Sequence, residues 1–288
     1  MFSGFLLSLL FTSAEFTLYL CIFSLFFFTE RLKKGDESMK ETSMNSGTSA
    51  ISFTSVTKSY EQNGASYEVL QGITGEVKQG DFVMVLGPSG SGKSTLLSIC
   101  NLMKTPDEGE VYIHGKEVRD WNISELRRTV SLAFQSAPVL DGTVRDNLSL
   151  AAKLHQKQLY TPEELARLTG LSDELLDRSA RDLSGGQRQK LSLARTLSNP
   201  SSILLLDEIT SALDPVSALE IEELIIRLHK EKKLTVMWVT HNIEQAKRVA
   251  DTIWFMADGR VLETAESGVF FTDPKHEAAR EFLKGGIR

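Results

Sequence analysis

The sequence predicts an α/β fold built around a mainly parallel sheet. Three short apolar runs carry this reading: "FVMVLG" at 82–87, "SILLLDE" at 202–208 and "LTVMWVT" at 234–240. Each is continuous rather than alternating, the pattern of a strand buried on both faces of a parallel sheet. Between the runs the apolar positions take up helical spacing, and strands alternating with helices argue for an α/β sheet.

The bulk numbers set limits. A chain of 288 residues can hold one large or two small domains. Charged residues at 24% and hydrophobic residues at 41% are ordinary for a globular protein. The net charge of -6 gives no electrostatic reason to expect a nucleic-acid partner. Cys21 and Cys100 are far apart and in no metal-ligand pattern, which fits a reducing compartment and excludes a disulfide framework.

The elements follow in order. From Phe5 to Phe28 the chain is mostly apolar and long enough to cross a bilayer, without the basic start or cleavage site of a signal peptide. Residues 1–38 therefore read either as a single membrane anchor or as translated leader. The leader is the preferred reading, because Lys34-Gly35-Asp36 can be encoded by a ribosome-binding sequence just upstream of Met39, with Met44 as the other start. Residues 39–50 are small and polar and read as a disordered linker. "ISFTSVTKSY" (51–60) reads as a strand, and "YEVLQGITGEVKQGD" (67–81) as a hairpin region punctuated by Gly72, Gly75 and Gly80. A helix is expected over 94–103, and a strand and turn over 110–118. Residues 122–181 are mainly helical in pattern, an inserted helical subdomain at about 120–182. Asp214-Pro215 opens a helix as N-cap and N1, with Leu219, Ile221, Leu224, Ile225 and Leu228 on its apolar side. Asn242 and Gln245 resemble a capping box. "TIWFMADGRV" (252–261) reads as a hairpin, and in the short tail 266–288 "HEAAREFLK" (276–284) reads as one closing helix, with no chemistry assigned.

The chemistry begins at Gly87. Gly87, Pro88, Ser89, Gly90, Ser91, Gly92, Lys93 and Ser94 fit G-x-x-x-x-G-K-[ST], and Thr95 follows, all between a buried strand and a helix. Glycines let successive backbone N–H groups point inward at phosphate oxygens, and a helix N-terminus adds its positive end. Lys93 can neutralise the outer phosphates of ATP, and the Ser94 hydroxyl can ligate Mg²⁺. Asp207 ends a buried strand, where α/β sheets bind ligands, and can hold the same Mg²⁺. Glu208 follows it and can act as general base on water.

A second glycine turn, "LSGGQ" at Leu183, Ser184, Gly185, Gly186 and Gln187, lies about ninety residues after the first. Phosphate loop, LSGGQ and "LLLDE" in this order resemble the nucleotide-binding domain of ABC (ATP-binding cassette) proteins over about 51–265. The resemblance implies a P-loop NTPase with a mainly parallel core sheet, an antiparallel β subdomain and the inserted helical subdomain. It also implies head-to-tail pairing with a second copy of the chain. The signature turn of one copy would then cover ATP held by the other, with its helix starting near Gln187. By the same resemblance, Tyr60 stacks on adenine, with Tyr67 as a weaker candidate. Gln135 is the Q-loop glutamine, which senses Mg²⁺ at the catalytic centre and links to the transmembrane partner, Asp214 belongs to the D-loop across the dimer, and His241 is the switch histidine near the γ-phosphate. With one cassette and a short spacing between the two glycine loops, the chain looks like the ATPase subunit of a bacterial transporter. It would sit on the cytoplasmic face of the cell membrane, driving a separate permease. "FQSAPVLDGTVRDNLSL" and "LLLDEITSALDP" look like iron or metal exporters, and "DGTVRDNL" is also similar to phosphate importers. A non-transport ABC ATPase is the minor alternative.

Overall fold

A computed structural model of the chain describes residues 49–62, 64–135, 138–155 and 159–285. The expected leader or anchor at 1–38 and the linker as far as residue 48 lie outside the described residues. Among the described residues no helix is long and apolar enough to cross a membrane.

The central sheet has six strands: β3 (Phe82–Leu86), β6 (Val130–Ala133), β7 (Ile203–Asp207), β8 (Thr235–Val239), β9 (Thr252–Ala257) and β10 (Arg260–Glu266), in the order β10-β9-β3-β8-β7-β6. All neighbours are parallel except β9 and β10, which form the expected antiparallel hairpin. The continuous apolar runs are explained by burial on both faces. Val83, Val85, Leu205, Met237 and Val239 point into one core, and Phe82, Met84, Leu86, Leu204, Leu206 and Trp238 into another. The first core lies between this sheet and a second, antiparallel one: β1 (Ser49–Gln62), β2 (Ala65–Lys78), β4 (Glu108–Ile113) and β5 (Lys116–Glu117), ordered β2-β1-β4-β5. Helix α1 (Lys93–Cys100) shares that core through Leu96, Leu97, Ile99 and Cys100.

The helical block comprises α2 (Ile123–Thr129), α3 (Val144–Leu148), α4 (Leu150–His155) and α5 (Pro162–Leu168), followed by α6 (Gly185–Leu197). It has a core of its own, in which Val144, Leu148, Leu165 and Leu176 meet Leu183, Leu191 and Ala194. On the far face of the central sheet lie α7 (Pro215–Lys232), α8 (Ile243–Val249), α9 (Ser267–Thr272) and α10 (Glu277–Leu283).

Several expectations are corrected. Ser49 and Ala50 belong to β1 rather than to a linker, because Ala50 is fully buried. The stretch 67–81 is not a hairpin but most of one long strand paired with β1. Its glycines do other work: Gly72 takes a left-handed φ of 72° within the strand, where the pairing register shifts, and a Cβ on Gly75 would lie 2.7 Å from the Trp254 ring. The first helix stops at Cys100, and Leu102 turns left-handed with φ 52°. The block 122–181 contains strand β6, which among the described residues pairs with β7 alone and is too short for its apolar pattern to stand out. Leu219 faces solvent, whereas Ile221, Leu224, Ile225 and Leu228 are buried as expected. Asn242 caps α8 by accepting from Gln245 N at 3.1 Å, but the Gln245 side chain does not reciprocate, being bonded to Thr210 and Glu222 instead. In the tail the expected closing helix forms over Glu277–Leu283, an unexpected short helix precedes it at Ser267–Thr272, and Phe282 and Phe270 anchor the two in the second core.

Candidate active site

Register brings the chemical groups to one edge. Val85 pairs with Val239, Asp207 with Val239 and Ala133 with Leu206, so the C-terminal ends of four parallel strands are level. Gly87, Gln135, Glu208 and His241 each follow one of those ends within two residues, in the crevice where open α/β sheets bind ligands.

The loop after β3 is shaped by its glycines. Gly87 has φ 147°, and a Cβ there would lie 1.9 Å from the Met256 carbonyl oxygen; at Gly92, with φ 95°, it would lie 2.7 Å from the Val69 carbonyl oxygen. Gly92 is the N-cap of α1 and supplies no side-chain cap, so the first-turn N–H groups have no side-chain acceptor. Lys93 Nζ donates to the carbonyls of Gly87 (2.9 Å) and Pro88 (2.7 Å) and to Ser91 Oγ (3.2 Å). Burial pushes the Lys93 ammonium below its ordinary range, partly offset by Glu208 and Asp207. Ser89, Gly90 and Ser94 are exposed at the mouth, and Thr95 is buried behind it.

Ser94 Oγ donates to Asp207 Oδ1 at 2.9 Å. Burial raises the Asp207 carboxyl above its ordinary range, against the lowering effect of that bond. Glu208 stands in the left-handed region with φ 49°, a strain of order 1–3 kcal/mol that is typical of functional sites. Its N–H donates to the Val239 carbonyl at 3.0 Å, tying the turn to β8. Gln135 Nε2 donates to Glu208 Oε2 at 2.8 Å, and His241 Nδ1 lies 3.1 Å from Glu208 Oε1. Gln135, Glu208 and His241 therefore form one constellation beside Ser94 and Asp207.

A family model described as "ABC transporter" matches residues 70–211. The Bacillus subtilis (strain 168) protein YjkB, by name an ABC transporter ATP-binding protein, is 78% identical over 239 residues, covering 83% of this chain and 96% of that protein. The chain belongs to the ABC transporter ATP-binding family. A protein of Aeropyrum pernix named as the phosphate import ATP-binding protein PstB is 38% identical over 76% of this chain and 92% of its own length. Among solved structures, a dimeric ATP-binding cassette in a post-hydrolysis state with ADP and Pi has a TM-score of 0.69 at 30% identity, covering 75% of this chain and 98% of that one. A cassette from Clostridium perfringens, part of an ABC transporter complex, has a TM-score of 0.65 at 25% identity, covering 78% of this chain and 92% of that one. This ABC cassette is an ATP-binding, ATP-hydrolysing subunit with the P-loop NTPase fold.

The signature turn of the cassette is fixed from within. Ser184 is the N-cap of α6, accepting from Gln187 N at 3.3 Å, while Gln187 Oε1 accepts from Ser184 N at 2.9 Å. The helix thus starts at Gly185, two residues before the expected position. Arg188 grips the turn through the carbonyls of Leu183 (2.9 Å) and Arg181 (2.8 Å). Among the described residues, Leu183–Gln187 make no hydrogen bond to the phosphate loop of their own chain. Asp214 likewise stays local, capping α7 through Val216 N and Ser217 N.

Tyr60 and Tyr67 are directly paired across β1 and β2, with ring centroids 6.2 Å apart. Lys104 Nζ lies 4.8 Å from the Tyr60 ring centre, a neighbour the sequence did not reveal. Sequence reasoning also missed a buried network beside the site. Gln245 donates to Thr210 Oγ1 (3.1 Å) and Glu222 Oε1 (3.0 Å), and Arg248 binds both Glu222 oxygens at 2.9 Å. The available signal was Glu222 itself, a carboxylate next to Ile221 on the apolar side of α7.

Proposed function

We propose that this ATPase drives a separate membrane permease from the cytoplasmic face of the cell membrane, working as a head-to-tail pair of identical chains. The observation that carries the reading is Glu208 held between Gln135 and His241 beside the Ser94–Asp207 pair. The dimeric solved cassette and the one that belongs to a transporter complex support the pairing and the permease.

In this reading Gly87–Thr95 wrap the phosphates of ATP and Tyr60 carries the adenine. Ser94 and Asp207 offer two hard oxygen ligands, and no cluster of three or more His, Cys, Asp or Glu among the described residues could cage a metal alone. That donor set fits Mg²⁺, which is held by few protein oxygens and by substrate phosphates. When bound, Mg²⁺ neutralises phosphate charge. Glu208 takes a proton from the attacking water, because a carboxylate with two oxygens already engaged keeps further lone pairs free. Gln135 and His241 fix its orientation. Ser184 and Gly186 approach the γ-phosphate held by the other chain, where the start of α6, with no acidic residue in its first turn, adds its positive end. Asp214 faces the partner across the dimer.

The cargo reading is export of an inorganic ion such as iron, supported by the likeness of 134–150 and 204–215 to metal exporters. Phosphate import is the second reading, favoured by the relative named for it. Purification of the Glu208→Gln chain from its native membranes with ATP tests all of this. One small permease without a solute-binding protein supports export. Two permeases with a phosphate-binding protein establish import. Recovery of no membrane partner favours a non-transport ATPase.

A further inference from the structure

Helix α6 does more than present the signature turn. Gln189 is 4% exposed, and its Nε2 donates at 3.1 Å to the carbonyl of Phe134. That carbonyl is the first past the end of β6, immediately before Gln135. Six residues further along the same helix, Arg195 Nη1 donates at 2.7 Å to the carbonyl of Pro138. A single helix therefore holds the chain on both sides of Gln135. Its N-terminal end is the Ser184–Gln187 cap, locked further by Arg188 on Leu183 and Arg181. At the other end of this path Gln135 Nε2 sits 2.8 Å from Glu208 Oε2.

We infer that Gln189 and Arg195 are positioning residues that make the signature helix and the Gln135 segment one mechanical unit, so that nucleotide engaged by Ser184–Gln187 sets Gln135 on Glu208 of the same chain. The inference rests on the head-to-tail reading, in which that nucleotide belongs to the partner. It gives each composite site a route to the other: α6 responds to ATP in one and aligns the base of the second. A rigid helix is suited to this, because sub-ångström errors in placing a catalytic group are costly. Neither residue touches substrate, so neither is assigned a chemical step.

The test is steady-state ATPase of the full chain. Gln189→Met keeps length and volume but removes the donor. We expect kcat about tenfold lower with KM within about twofold, the sign of a misplaced catalytic group rather than a lost binding contact. In the Gln135→Ala background the same substitution should cost nothing further, because its effect passes through Gln135. Wild-type kcat in Gln189→Met, or losses that multiply in the double variant, overturns the inference. Should Gln189→Met not fold, Arg195→Met carries the same two expectations and the same two refutations. ATP-dependent dimerisation of Glu208→Gln, followed by light scattering, separates the two levels. No dimer removes the head-to-tail reading itself; a dimer together with unaffected Gln189→Met and Arg195→Met removes this inference alone.

Discussion

His241 Nδ1 lies 3.1 Å from Glu208 Oε1, on the side of the carboxylate opposite Gln135. Gln135 holds the other oxygen, so the carboxylate is oriented from both sides. Replacing it with an amide keeps the shape and removes the proton acceptor. We expect Glu208→Gln to retain ATP binding and lose roughly 10²- to 10⁴-fold in kcat. Single-turnover hydrolysis measures this, and turnover near the wild-type rate would take the base role away from Glu208.

Lys93 is 7% exposed and satisfies two loop carbonyls and one hydroxyl. Lys93→Ala removes the cation and leaves the carbonyls of Gly87 and Pro88 without this donor. ATP affinity should fall at least about tenfold, since hydrogen bonds to charged groups contribute about 1.5–3 kcal/mol. A fluorescent-nucleotide titration decides it: equal affinity in the two proteins would contradict a phosphate-binding loop.

Ser184→Ala separates two jobs of one hydroxyl. As an N-cap, its loss should cost about 1 kcal/mol of stability. As a group facing nucleotide in the partner, its loss should lower ATPase activity far more than that destabilisation explains. Chemical denaturation and turnover on the same variant are the two readouts. A fall in stability with normal turnover would confine Ser184 to capping.

Much of this site is legible in the sequence because its parts are local. A phosphate loop must follow a buried strand and open a helix, and "FVMVLG" before "GPSGSGKST" shows both. Asp207 and Glu208 are legible because a short continuous apolar run fits a buried strand, and the carboxylates that close it then lie where that strand leaves the sheet. Register then does what the sequence cannot show: the pairing of Ala133 with Leu206 is what sets Gln135 beside Glu208. The contacts of Gln189 and Arg195 with Phe134 and Pro138 span more than fifty residues of chain, and no local pattern announces them. The same holds for Gly75, which reads as a turn residue and serves instead as the flat surface against Trp254.

Glycine at 87 is a steric requirement rather than a preference. Its φ of 147° and the Met256 carbonyl oxygen 1.9 Å from any Cβ leave no place for a side chain. The atom in the way is backbone of β9, which cannot rotate aside. Gly87→Ala should destabilise the chain by more than about 2 kcal/mol, among the larger single-site effects. A melting curve superimposable on wild type would show that the loop can be rebuilt without this close approach.

Away from the nucleotide edge, His114 makes stability depend on pH. It occupies the turn between β4 and β5 with φ 49°. Gln79 Nε2 lies 3.2 Å from its Nδ1, and its Nε2 lies 2.8 Å from Ser202 Oγ. An amide nitrogen only donates, so Nδ1 accepts and the ring is held neutral, with Nε2–H toward Ser202. A second proton would set two donors face to face. Burial acts in the same direction, holding the imidazole below its ordinary value of 6.5. Between that lowered value and 6.5 the unfolded chain binds a proton that the folded chain does not, so stability rises with pH across this window. Above 6.5 the contribution is level; as pH falls, the penalty grows until the folded value is reached and then stays constant. The melting temperature should therefore drop on acidification from pH 7 toward about pH 5, where histidines titrate. His114→Asn tolerates the left-handed backbone and cannot take up the proton. It should flatten this part of the profile, whereas an unchanged slope would assign the acid sensitivity to another group.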